Sequence, residues 1–108
     1  MYLNNKIPEK FEGSYLLENA VDSHIHCCPH LNERSIHIFE AVRHALAFKM
    51  KGIGLMDNFC NTSGYAALIN KEMENMNLDV FGGLIMEPYA GGISAEAVKI
   101  ALSYNYGD

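Results

Sequence analysis

The sequence predicts an α/β fold built from parallel βα repeats. The order strand, loop, helix recurs three times, at intervals of roughly 30 residues, the length of a βα unit. The later strand-length runs, GIGLMD and LDVFGGLIM, are continuously apolar, as in parallel strands covered on both faces. Three such units are less than half of a TIM-type (β/α)8 barrel of about 250 residues, so the expected architecture is a partial barrel.

Residues 1–19 form a lead-in segment. Within it Glu9 to Asn19 has a helical apolar side of Phe11, Tyr15, Leu16 and Leu17, weakened by Gly13. Residues 20–108 hold the βα units. The first strand is Ala20 to His26, stopped by Pro29. Ser35 is a suitable N-cap for a helix in which Ile36, Phe39, Val42, Leu46 and Met50 recur at helical spacing up to the Lys51-Gly52 break. Gly52 to Asp57 reads as the second strand. Asn61-Thr62-Ser63-Gly64 then leads into a helix through Ala66, Ala67, Leu68, Ile69 and Met73. The third unit is a strand from Leu78 to Met86, a glycine-containing loop from Pro88 to Ser94, and a helix from Ser94 to Tyr104. The final stretch, Ser103-Tyr104-Asn105-Tyr106-Gly107-Asp108, has the composition of a helix exit that feeds another strand. The expectation is therefore a truncated chain, or a small sheet completed by self-association into a homo-oligomer.

The 108 residues carry a formal charge of −5 with only eight Lys and Arg, which argues against nucleic acid as partner. No basic start precedes an apolar block, and no run of about 18 apolar residues is present, so neither secretion nor a membrane is expected and the chain reads as cytoplasmic. Three cysteines, two of them adjacent, make a poor disulfide framework.

The stretch AVDSHIHCCPH carries the chemistry. On a strand, alternate residues share a face about 6.5 Å apart, so Asp22, His24 and His26 project to one side, where two imidazoles can grip one ion. Asp22 suits an orienting role, since metal-bound histidines commonly donate their other N–H to a carboxylate. Functional groups of parallel βα folds gather at the carboxyl ends of the strands. Asp57 and Glu87, at the ends of the second and third strands, are accordingly the candidate catalytic carboxylates. Ala90-Gly91-Gly92-Ile93-Ser94 opens a helix and can offer backbone N–H groups to an anion, or serve as a plain turn. Cys28 and His30 continue the alternation from His26 and offer zinc a softer ligand set, with Cys27-Cys28 as a thiol pair the alternative. Pro29 interrupts the strand, no second Cys/His cluster stands at zinc-finger spacing and no base partner is supplied, so Cys27, Cys28 and Cys60 read as packing residues. His37, Glu40 and His44 lie opposite the apolar stripe of their helix and read as a solvated face.

Asp22-Ser23-His24-Ile25-His26 resembles the D-x-H-x-H motif of the amidohydrolase-like metal-dependent hydrolases. LLENAVDSHIHCCPHLNERS, KGIGLMDNFCNTSGYAALIN and VFGGLIMEPYAGGISAEAVKIAL look like the N-terminal part of an uncharacterised amidohydrolase-related barrel family, over nearly all of residues 15–108. The resemblance implies a (β/α)8 barrel, one or two divalent metals (zinc, with manganese or iron as alternatives), His24 and His26 as ligands with Asp22 adjoining, and a small-molecule substrate. Where that family has a Lys and a His near the end of the second strand, this chain has Met56 and Asn58. A second group, the polymerase-and-histidinol-phosphatase type phosphoesterases, shares D-x-H-x-H but ends its second strand in a T-D-H triplet, of which only Asp57 is matched. Metal-dependent hydrolysis by activated water is the first functional expectation, phosphoester hydrolysis the second, and a non-catalytic α/β interaction module the third. Zinc catalysis normally uses three protein ligands, one more than this motif supplies.

Overall fold

The computed structural model describes residues 6–105 and 107; residues 1–5 of the lead-in segment, and Tyr106 and Asp108 of the helix exit, lie outside the described residues. The chain forms a mixed α/β structure with a three-stranded parallel sheet. Strands β1 (Val21–Ile25), β2 (Gly52–Leu55) and β3 (Asp79–Phe81) pair in the order β1-β2-β3. Helix α1 (Ile38–Ala47) links the first two strands, α2 (Ser63–Glu72) the next two, and α3 (Ala95–Ser103) follows β3. None of the described helices is long and apolar enough to cross a membrane.

The core lies between one face of the sheet and helices α1 and α2. Ile53, Leu55 and Val80 from the strands meet Ile38, Ala41, Val42, Ala45, Ala66 and Ile69 from the helices. The other face is thinly covered. Phe81 lies across β2, where a Cβ on Gly54 would come within 2.5 Å of its ring. Helix α3 buries no residue, and Ile93, Ile100 and Leu102 stay exposed.

Several boundaries differ from the sequence reading. The expected helix over Glu9 to Asn19 shrinks to a 3-10 turn at Ser14–Leu17, with Phe11, Tyr15 and Leu16 exposed. Gly13 at φ 85° and Asn19 at φ 63° bracket it in left-handed conformations that a continuous helix forbids. Helix α1 begins after His37 rather than Ser35, because the preceding residues pair with the end of the first strand: Cys28 donates to Ile36 O and accepts from Ile38 N. Glu40 is not on a solvated face. It is buried, and its Oε1 accepts the His37 N–H at 3.4 Å, satisfying a backbone donor at the helix start.

Strand β3 stops at Phe81 instead of reaching Met86. The next residues leave the sheet to meet Thr62, whose hydroxyl accepts the Gly83 N–H at 2.8 Å and donates to Leu55 O at 2.5 Å. Strand β1 contains a bulge: Asp22 matches Ile53 and Ile25 matches Leu55, so three steps on β1 span two on β2. Gly54 makes room for it, since a Cβ there would fall 2.5 Å from the Ser23 carbonyl oxygen. Gly54→Ala should therefore lose about 1–3 kcal/mol through overpacking, read as a lower urea midpoint; an unchanged midpoint would show that the bulge can shift without cost.

Candidate functional site

The carboxyl ends of β1 and β2 and the loop after β3 form one rim. Asp22 accepts the His24 backbone N–H at 3.1 Å, so its carboxylate braces the bulged backbone rather than an imidazole. The His24 and His26 rings tilt together beyond it, with their Nε2 atoms 3.0 Å apart. Nitrogens about 2.0–2.1 Å from one zinc and separated by that distance subtend roughly a right angle at the ion. The pair thus fits two neighbouring ligand positions. Among the described residues no group of three or more His, Cys, Asp and Glu side chains is arranged to hold a metal ion.

The sequence reading noted His30 on the alternation from His26 but set it aside because Pro29 interrupts the strand. The Cys28 peptide bonds to Ile36 and Ile38, both 2.9 Å, close the loop between them and turn His30 back under His26. There its Nε2 stands 3.3 Å from His26 Nδ1 and 3.6 Å from Asp57 Oδ1. The His30 side chain is fully buried, and its Nδ1 accepts the Asn32 N–H at 3.1 Å. Alternation along a strand could not reveal this, because the contact depends on the return of the loop.

Asp57 is buried, and its Oδ1 also accepts the Phe59 N–H at 2.8 Å. The structure therefore places it behind His30. Phe59 meets His30 edge-on with ring centroids 5.8 Å apart, and Tyr89 lies 5.1 Å from Phe59. Glu87, half-buried, precedes the 3-10 turn Pro88–Ala90 that carries Tyr89, so it opens the loop on this same rim. A cavity of about 480 Å³ adjoins the site, lined by His26, Glu33, Arg34, Ser35 and Ile36. Met56 fills the space that a Cβ on Gly83 would take.

Burial lowers the pKa of His26, aided by the charges of Arg34, His24 and His30 and opposed by Asp57. Below the ordinary histidine value of about 6.5, such a ring is neutral at neutral pH, as metal ligation requires. The cysteines look different. Burial, reinforced by Cys28, pushes the Cys27 thiol up to about 11, and burial followed by the Asp57 charge raises Cys60.

A thiol with that pKa is about one part in a thousand thiolate at pH 8, and the thiolate is the reactive form. Alkylation of Cys27 by iodoacetamide, followed by peptide mass spectrometry, should be slow at pH 8 and should rise about tenfold per pH unit up to pH 10. A rate that levels off near pH 9 would contradict the buried, protonated thiol.

No curated protein and no solved structure matches the chain. Residues 19–107, from just before β1 to beyond α3, match a family of unknown function. The three βα units and the histidine rim all fall inside that match, and the chain belongs to the DUF6282 family.

Proposed function

We propose that this chain supplies the first part of a divalent-metal site in an amidohydrolase-like hydrolase, its sheet being a three-strand arc of a βα barrel. The observation that carries the reading is the 3.0 Å approach of His24 and His26 Nε2 at the carboxyl end of β1. Support for the arc comes from the parallel order β1-β2-β3 and from the packing of both α1 and α2 on one face of the sheet. In a (β/α)8 barrel the helices form the outer ring, and the opposite face of the sheet turns inward.

In this reading His24 and His26 hold the metal, zinc being the first choice for imidazole ligands. A bound ion of this kind lowers the pKa of its water to about 7 and polarises the substrate's carbonyl or phosphoryl oxygen. Asp57 acts through His30, and Glu87 is the rim carboxylate assigned to proton transfer. The cavity beside His26 is where a small substrate is received. Metal content should be measured by elemental analysis after purification without chelator. Wild type should retain metal and the His24→Ala/His26→Ala variant should lose it, followed by a screen of amides, lactones and phosphate monoesters. Equal, negligible metal in both proteins would remove the basis for the hydrolase reading.

One observation bears on how the sheet can continue at β3, for a further barrel strand and for association through the sheet edge alike. Asn70 on α2 clasps edge strand β3, donating from Nδ2 to Val80 O at 2.6 Å and accepting from Val80 N at 3.4 Å. A side chain thus occupies peptide groups that a fourth strand would use. Asn70→Ala should accelerate hydrogen exchange of the Val80 amide and lower stability by about 1–3 kcal/mol. If exchange at Val80 stays slow, the Asn70 clasp is not what protects that edge.

A further inference from the structure

His30 stands at the centre of a hydrogen-bonded row whose direction can be read from its ends. A neutral imidazole has one protonated nitrogen and one acceptor nitrogen. The Asn32 backbone N–H can only donate, and at 3.1 Å it meets His30 Nδ1, so the His30 proton belongs on Nε2. Arg34 Nη2 also approaches Nε2, at 3.4 Å. A guanidinium only donates, and the two nitrogens of a neutral ring cannot both accept. The shorter contact, from a donor fixed by the backbone, prevails.

The rest of the row follows. His30 Nε2–H faces His26 Nδ1 at 3.3 Å, making that nitrogen an acceptor and putting the His26 proton on Nε2. His26 Nε2–H then donates to His24 Nε2 at 3.0 Å, which leaves the His24 proton on Nδ1.

We propose that His30 is a positioning residue that fixes His26 in its Nε2–H tautomer when no metal is bound, and that Asp57 is the alternative acceptor that releases it. The second half rests on the metal reading above; the first does not. The arrangement closes the metal position, because the lone pairs of both His24 and His26 Nε2 are needed for ligation and the His26 one is protonated. Opening it means that His26 gives its Nε2 proton to water and takes one from water on Nδ1, with no net change of charge. The new Nδ1–H would then face His30 Nε2–H, donor against donor. His30 escapes by turning its proton towards Asp57 Oδ1, already 3.6 Å away.

The experiment uses the full chain, labelled with ¹⁵N histidine and freed of metal, and reads tautomers from two-bond ¹⁵N–¹H spectra. His26 and His30 should appear as Nε2–H and His24 as Nδ1–H. His26 found as Nδ1–H in wild type overturns the proposal, and that result needs no variant to fold. In His30→Phe, His26 should lose its fixed tautomer, and His30→Gln, whose amide can still donate, should restore it; an unchanged His26 in His30→Phe also overturns the proposal. Zinc titration then tests the release. Asp57→Ala should weaken zinc binding about tenfold, within the range for groups that orient ligands, but less than twofold in a His30→Phe background. Equal effects in both backgrounds refute the role of Asp57. Failure of wild type to bind zinc refutes that half together with the metal reading, whereas the metal-free spectra decide the tautomer half alone.

Discussion

The two peptide hydrogen bonds of Cys28, to Ile36 and Ile38, are the constraint on which the candidate site depends. Loop residues between those points would otherwise retain much backbone entropy, of order 1–2 kcal/mol per residue. Pinning both ends makes a compact return that delivers His30 beneath His26 and aligns Asn32 N–H with its Nδ1. The same pairing decides where α1 begins. Ile38 is its first residue, and Glu40 answers the His37 N–H just before it. Loop, helix start and histidine cluster are therefore mechanically one unit, and a change at the start of α1 is felt at His30.

Below this unit, small residues let the strands approach. Gly54 accepts the leaning Ser23 carbonyl on one side and the Phe81 ring on the other, a combination that no Cβ tolerates. Thr62 ties the ends of β2 and β3 with one hydroxyl, giving a proton to Leu55 O while taking one from Gly83 N. Its own N–H reaches Gly83 O at 3.1 Å. These bonds lie just past the strand ends, close in sequence to Asp57 and Phe59. The rim is therefore held by backbone geometry, and its side chains need little reordering to meet.

The repeat order and the helix positions were legible because they follow from apolar periodicity, a local signal. Ile53, Leu55, Val42 and Ile69 read as interior and are buried. The proximity of His24 and His26 was legible for the same reason, from alternation along a strand. What escaped was set by contacts distant in sequence. Glu40 looked solvated because helical spacing placed it opposite the apolar stripe, but it is buried and its carboxylate turns back to the His37 N–H at the helix start. Asp22 looked like a partner for an imidazole, but the bulge turned its carboxylate to the His24 backbone. The long apolar run Leu78 to Met86 gave no sign that Thr62 would draw Gly82-Gly83 out of the sheet. His30 stood on the alternation from His26 but behind Pro29, and the loop return that brings it under His26 depends on Cys28 pairing with Ile36 and Ile38.

The separation of 3.0 Å between the two Nε2 atoms suits a shared ion, and it suits an N–H···N hydrogen bond equally well. The two uses compete for the same lone pair. An intramolecular hydrogen bond contributes a net of about 0.5–1.5 kcal/mol, so displacing it lowers metal affinity by about 2- to 10-fold. That penalty is small against a complete structural zinc site, worth about 10–16 kcal/mol. It weighs far more against binding by two histidines alone. On the proposed metal reading, an ion at His24 and His26 therefore gives up this one hydrogen bond when it binds, and Asp57 offers the displaced His30 proton a place to go.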